Sequence, residues 1–220
     1  MPNPSSDVID IIVFNGIMNK VSITTIDGKV VYEQNIERAV KKQLSALDTH
    51  CQRFIGLSPF VVISSFGLDQ MLDASPRGGA PGFVKVLDPH TLLLPDSPGN
   101  NRLDTLENII HTGKVGMLFL LPGMDETLRV NGTASLSVDT TDLEQCTTEV
   151  RAPKLVIKVT VAQAYLHCAK AFMRSKLWDS QSHIQRSLMP TMGDMINEQA
   201  GMSTPAETQE EMLARYRAEL

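Results

Sequence analysis

Apolar residues in this chain fall mostly in short β-branched runs that alternate in and out where they are long, and they take helical spacing in only a few places. Residues 60–66 (F-V-V-I-S-S-F) follow Pro59 and stop at Gly67, a strand bounded by turn chemistry. Residues 71–75 read as its hairpin partner, and 83–87, 91–94, 115–121 and 155–166 as further strands, with an Asp88-Pro89 turn between the first two of these. Residues 127–138 alternate. Leu128, Val130, Gly132, Ala134, Leu136 and Val138 share one face, and Arg129, Asn131, Thr133, Ser135 and Ser137 the other, as in a half-buried antiparallel strand. So many short strands with so few helical crossovers predict a mainly β fold, a closed or partly closed barrel with flanking helices.

Helical spacing first appears over residues 36–54, where Ile36, Val40, Leu44, Leu47, Cys51 and Phe54 recur every three or four positions. Asn35 suits its cap and Gly56 its end, and Lys41, Lys42 and Arg53 read as its solvated face, the alternative being a minor role in lining a ligand cleft. A second, short amphipathic helix carries Leu103, Leu106, Ile109 and Ile110 and stops at Gly113. Residues 167–178 turn helical again, and 207–219 form an amphipathic helix with Met212, Leu213 and Tyr216. Toward the start, residues 8–13 are apolar and suit a strand or a buried helical turn, while Asp27-Gly28 inside 21–32 signals a hairpin. Residues 139–149 read as an acidic surface segment. The expected division is an arm over 1–35, a barrel domain with flanking helices over 36–180, and a helical extension over 181–220. The methionines of that extension, Met189, Met192, Met195 and Met202, suit adaptable packing over a cleft or a dimer interface.

Composition narrows the function classes. At 220 residues the chain can bury a real core. A net charge of −5 and a pI near 5.5 argue against a nucleic-acid binder, so the expected partners are small molecules. Cys51, Cys146 and Cys168 are odd in number and widely spaced, which indicates neither a disulfide framework nor a zinc site and suits a reducing cytoplasm. No apolar run approaches a membrane span, and the first residues lack the basic start of a signal peptide. No metal site is expected, since His167 and Cys168 are adjacent rather than spaced to share an ion. Nucleophile elbows, phosphate loops and paired-carboxylate signatures are absent as well.

The candidate chemistry lies in two basic loops. Arg77 brings a planar fork of donors, and Gly78 and Gly79 behind it let a ligand approach the backbone. Asn100, Asn101 and Arg102 stand just ahead of the helix beginning near Leu103, whose unpaired N–H groups favour the same negative charge. The two loops are expected to converge on one anion. Near the end of the barrel, His167, Lys170 and Arg174 are candidates for a cleft wall, Lys170 and Arg174 being four apart on one helical face.

Three longer motifs carry a resemblance. They are S-P-R-G-G-A-P-G-F-V from Ser75, L-L-P-D-S-P-G-N-N-R-L-D-T-L-E-N-I from Leu93, and V-G-M-L-F-L-L-P-G-M-D-E-T-L-R-V-N-G from Val115. With A-Y-L-H-C-A-K-A-F-M-R-S-K-L-W-D from Ala164, they resemble the FMN-binding split-barrel proteins related to pyridoxamine 5'-phosphate oxidase, in a branch whose substrate is not agreed. The resemblance implies a six-stranded split barrel with FMN between the two subunits of a homodimer. It implies an oxidoreductase working by hydride transfer through flavin N5 on a small-molecule substrate.

Carried over by residue, the resemblance sets Asp73, Ala74, Ser75, Pro76 and Arg77 on the strand beside the flavin. Leu94 and Pro95 become its backbone contacts, Asn101 and Arg102 the phosphate clamp, and Thr127 a residue reaching the partner's cofactor. Asn101 departs from the basic pair of the oxidases themselves. The C-terminal arginine and aromatic set that binds pyridoxal phosphate there has no counterpart that aligns here, which leaves vitamin B6 oxidation without support. Two other readings remain open on the sequence: a non-catalytic flavin carrier or sensor, and a split barrel holding haem or the deazaflavin F420.

Overall fold

The computed structural model describes residues 41–97, 99, 102–148 and 152–219, together with the backbone of 9–12, 20–25 and 30–35. Strands β1 (Ile9–Ile12), β2 (Lys20–Thr25) and β3 (Val30–Asn35) pair in that order as a three-stranded antiparallel sheet. The expected hairpin is thus β2 and β3, with Ile23 opposite Tyr32, while its Asp27-Gly28 turn lies outside the described residues.

The barrel is built from β4 (Phe60–Phe66), β5 (Leu72–Gly78), β6 (Lys85–Asp88), β7 (Thr91–Pro95), β8 (Lys114–Leu120), β9 (Thr127–Ser137) and β10 (Val156–His167). They form one sheet in the order β5-β4-β8-β9-β10-β7-β6, antiparallel throughout. Seven strands stand where the resemblance implies six, and they match the seven runs of the sequence pattern. The inward residues Val61, Ile63, Met117, Phe119, Leu128, Val130, Leu92, Leu94, Ile157 and Val159 fill a single core. Burying one such side chain contributes about 1.5–3 kcal/mol.

β9 leaves no room for a side chain at Gly132, beside the irregularity of β10 between Val161 and Gln163, where a Cβ would lie 2.0 Å from Thr160 O. Only glycine allows the two backbones to meet there.

Helix α1 (Thr49–Leu57) closes one end of the core with Cys51, Phe54 and Ile55. It is shorter than the helix expected over 36–54. Asp48 starts it, accepting a hydrogen bond from Cys51 N at 2.7 Å. The residues just before it are spent on the barrel instead: Leu44 exchanges two 2.9 Å backbone bonds with Ala164, and Leu47 N donates to Pro89 O at 2.8 Å. Asn35 ends β3, and residues 36–40 lie outside the described set.

Helix α2 (Asp104–Thr112) buries Thr105, Leu106 and Ile109 and ends on Gly113 at φ 64°. The acidic segment over 139–149 is not all surface. It contains α3 (Thr140–Cys146), which buries Cys146 against Leu93 and Val156 and turns Asp142 inward to Ser137 and Lys158. Val138, expected inward, is 73% exposed because β9 ends one residue earlier. Beyond β10 come α4 (Lys170–Ser175), α5 (Met192–Ala200) and α6 (Gln209–Glu219). This extension leaves Ile184, Leu188, Met189, Met192, Ile196 and Met202 exposed.

Candidate functional site

Edge strand β5 sets Asp73, Ser75 and Arg77 opposite Ser65, Ile63 and Val61 of β4, so the three face the barrel interior. Ala74 and Pro76 face outward and are exposed, and an edge strand is where a proline is tolerated. Arg77 Nη1 donates to Ser75 Oγ at 2.6 Å and to Pro76 O at 3.3 Å. Its Nε is enclosed and meets no hydrogen-bond partner among the described residues. Asp96, just beyond β7, sits within reach of its field. Burial pushes the Asp96 carboxyl up, and the Arg77 charge pulls it partly back. A half-buried guanidinium with one enclosed N–H that meets no acceptor is the kind of cradle a phosphate oxygen fills.

Helix α2 braces β5 through its first turn and β4 through the rest of its length. Thr105 Oγ1 donates to Asp73 Oδ2, Asn108 Nδ2 to Ser65 Oγ at 3.1 Å, and Thr112 Oγ1 to Phe66 O at 3.0 Å. Arg102 is 73% exposed and grips Asp104 through Nε at 2.6 Å and Nη2 at 3.2 Å. That grip holds the Asp104 carboxyl below the usual range. Arg102 lines a cavity of about 460 Å³ that also holds the carboxylates of Asp69, Asp73, Asp104 and Glu107. Four carboxylates around one guanidinium make this a poor seat for an anion compared with Arg77. Asp73 and Arg77 are four residues apart on β5, roughly 13 Å. Each arginine therefore has a different carboxylate neighbour, and an anion shared by both would compete with Asp104. Asn100 and Asn101 lie outside the described residues.

Leu94 is fully buried and Pro95 half-buried. β6 reaches only Leu93, through Lys85, so the β6 side of the Leu94 and Pro95 backbone is left uncovered by that strand. Pro95 and Asp96 share a cavity of about 400 Å³ with Gly78, Gly79, Lys85 and Cys146, where the end of β5 approaches the end of β7. The loop below it turns on Gly82, at φ 76°, whose Cβ would stand 3.0 Å from Gly56 O.

The outer face of the sheet carries the rest. Cross-strand pairs Thr127 with His167, Arg129 with Tyr165, and Asn131 with Gln163 follow one another on that face. A groove of about 560 Å³ begins at Asn131 and Gln163 and runs over Gly116 to Ser64 and Phe66. Gly116 keeps its floor low, since a Cβ there would come within 3.1 Å of Asn131 Oδ1. Thr127 is only 5% exposed, and Trp178, stacked on Phe172, donates to Met124 O at 2.9 Å nearby in sequence. Lys170 and Arg174 are exposed on α4.

The cations beside His167 are different ones. Arg129 Nη1 donates to Tyr165 OH at 2.9 Å, and Lys42 Nζ donates to Leu166 O at 2.7 Å. Burial, then Arg129 and Lys42, keep the His167 imidazole below its ordinary pKa. The sequence pattern sets Lys42 on a solvated helix face, with a minor role in lining a ligand cleft as the alternative, and gives Arg129 no role. The alternation did place Arg129 on the polar face; its partner depends on a strand register the sequence does not display.

Arg77 and Thr127 thus lie on opposite faces of one sheet, and a ligand lying on one face of a single chain meets only one of them.

Among the described residues, no helix is long and apolar enough to cross a membrane. Residues 1–50 match a family model described as a secretion system C-terminal sorting domain. No curated protein matches the chain. Among solved structures, HupZ of Group A Streptococcus is 15% identical, with 54% of this chain and 91% of that one covered and a TM-score of 0.45. An FMN-binding protein from Syntrophomonas wolfei is 13% identical over 53% and 83%, with a TM-score of 0.41. An FAD binding protein from Mycobacterium smegmatis is 16% identical over 56% and 97%, with a TM-score of 0.40. Scores this low carry no argument about this chain. Residues 47–168 match the family model described as pyridoxamine 5'-phosphate oxidase, which spans β4 to β10 and more than half of the sequence, and the chain belongs to that family.

Proposed function

We propose that this protein binds FMN and acts as an FMN-dependent oxidoreductase on a small-molecule substrate. The carrying observation is the enclosed Nε of Arg77, a strong donor without an acceptor on the inward face of β5. A flavin phosphate would supply that acceptor, with Ser75 beside it and the uncovered backbone at Leu94 and Pro95 within the same end of the barrel. Asp73, Ala74 and Pro76 complete the strand that flanks the cofactor. Arg102 and Asn101 have a secondary part, because Arg102 already holds Asp104. Bound flavin would supply hydride transfer at N5, and the chain's own residues would hold the phosphate, align the ring and limit water.

The working unit we propose is a homodimer. With Arg77 inward and Thr127 and His167 outward, one chain's outer face would complete the other chain's cofactor site. The half-buried Val62, Phe66, Leu118 and Leu120 and the exposed Leu72 on that outer face suit burial against a second copy. We divide the chain into an arm over 1–35, the flavin-binding body over 36–180 and an extension over 181–220. The exposed apolar side chains of that extension would add to the interface. An exposed thiol at Cys168 and two buried free ones suit a reducing, cytoplasmic setting.

The absorbance spectrum of the purified protein tests the cofactor, because flavin, haem and deazaflavin differ in band position. Reduction of the bound flavin by NADH or NADPH, followed by reoxidation with an acceptor over many cycles, tests the enzyme. A flavin that reduces once and does not turn over would leave a carrier.

A further inference from the structure

We propose that Lys42, Arg129, Tyr165 and His167 form a receiving site for the oxyanion of a small-molecule substrate, a carboxylate or phosphate group, separate from the seat at Arg77.

Three observations converge on it. First, the cluster is built by ladder geometry. Arg129 stands directly opposite Tyr165, and Thr127 opposite His167, all on the outer face. Lys42 is delivered to the same spot by the two-bond bridge between Leu44 and Ala164 and fixed by its own bond to Leu166 O. Second, the charge is unbalanced. The Arg129 guanidinium and the Lys42 ammonium each lie 5.6 Å from the centre of the Tyr165 ring, and the His167 ring lies 5.1 Å from it. Among the described residues the ion pairs join Arg102 to Asp104, Lys158 to Asp142 and Arg215 to Glu207, and none reaches Lys42 or Arg129. Two cations brought to one ring without a carboxylate repel each other until an anion arrives. Third, His167 Nε2 is enclosed and has no hydrogen-bond partner among the described residues, a state it shares only with Arg77 Nε. An oxyanion would accept from Arg129 and Lys42, and from Nε2 once that nitrogen carries a proton.

Room for the rest of the molecule lies one pair further along the same face. The Asn131 and Gln163 pair begins the groove over Gly116, so a substrate anchored by its anion would lie along that floor with amide groups at hand. Only the word substrate rests on the proposed flavin function; the anion site stands on the cluster itself.

Histidine NMR tests it. The five imidazoles are followed during titration of the whole chain with inorganic phosphate and, separately, benzoate, with His167→Gln assigning the signal. The expected result is a saturable shift at His167 with at least one of the two, and a raised His167 pKa when bound, because the anion offsets Arg129 and Lys42. Arg129→Gln and Lys42→Gln should each weaken binding by about tenfold. Arg129→Lys, which keeps the charge and loses the fork, should fall between them and the parent. A response to phosphate alone or benzoate alone identifies the group. The same titration after loading with FMN, with flavin followed by its own absorbance, separates the two readings. A persistent His167 shift without flavin binding keeps this site and removes the flavin function. Flavin binding without any His167 shift removes this site. Competition by FMN for the shift would reassign the cluster to the cofactor, and unchanged affinity in Arg129→Gln would overturn the proposal outright.

Discussion

Thr105 Oγ1 donates to Asp73 Oδ2 at 2.5 Å, and this bond ties the first turn of α2 to the inward face of the edge strand that carries Arg77. Both groups sit where water has little access, Thr105 being buried and Asp73 half-buried. Thr105→Val keeps the shape and removes the donor, leaving a carboxylate oxygen short of a partner. The expected loss is about 1–3 kcal/mol in urea unfolding. If Asp73 holds β5 in register for the cofactor, FMN affinity should fall as well, whereas an unchanged midpoint would mean that water replaces the hydroxyl at no cost.

The three thiols should separate cleanly by reactivity. Burial drives the Cys51 and Cys146 thiols up to about 11, while Cys168 is exposed. Thiolate is the reactive form, so at pH 8 the two buried thiols are protected twice, by access and by protonation. Ellman's reagent should modify one thiol quickly in the native protein and all three after unfolding. Rapid labelling of Cys146 would mean that α3 opens on the timescale of the assay.

Acid stability should depend on Asp142. Its carboxyl is held below the ordinary carboxylate range mainly by the Ser137 hydroxyl, against the effect of burial and with help from Lys158. A folded pKa below the unfolded one gives stability that is complete above the unfolded value and is lost as pH falls through the folded one. Stability should therefore drop below about pH 4, and Asp142→Asn should be less stable at pH 7 with a flatter acid limb. Thermal melts of both proteins between pH 3 and 7 should show the two curves converging toward acid pH, and a constant gap would take Asp142 out of the acid limb.

Much of the barrel was legible because its strands are short, β-branched and punctuated, and because residues 127–136 alternate strictly enough to assign faces. The break around residues 43–48 in the helix expected over 36–54 is not legible, since Leu44 and Leu47 fit a helical face as well as they fit the wall they join; only the long-range bridge to Ala164 decides between the two. The seating of Asp142 was hidden for a similar reason, as its acceptor role toward Lys158 spans 16 residues. At the candidate site, the resemblance set Asp73 to Arg77 on one strand as a continuous run, and only the pairing with β4 separates the inward Asp73, Ser75 and Arg77 from the outward Ala74 and Pro76. Their neighbours were not readable: Arg102 is turned to Asp104 by a contact two residues away, and Arg129 meets Tyr165 only through the register of β9 and β10.

The two arginines of the basic loops should not be equal in FMN binding. Arg77 is half-buried with an enclosed, unpartnered Nε, so a phosphate oxygen there gains a charge-assisted bond and relieves a donor that has nothing else. Such bonds contribute about 1.5–3 kcal/mol, and Arg77→Ala should weaken FMN by about tenfold to a hundredfold. Arg77→Lys should recover only part, because an ammonium cannot reproduce the fork. Arg102 starts from an exposed pair with Asp104, in company with three further carboxylates. Solvent screens an exposed pair of this kind, and Arg102→Ala should change FMN affinity by less than about fivefold. Asp96 supplies the opposite test. Its carboxyl lies within the electrostatic reach of Arg77 and, when charged, would repel a phosphate there, so Asp96→Asn should tighten FMN while leaving riboflavin, which has no phosphate, nearly unchanged. Fluorescence titrations of the parent and these four variants with FMN and with riboflavin decide the matter. Equal losses for the two ligands in Arg77→Ala would remove the phosphate from Arg77, and a larger loss in Arg102→Ala than in Arg77→Ala would move it to the mouth of α2.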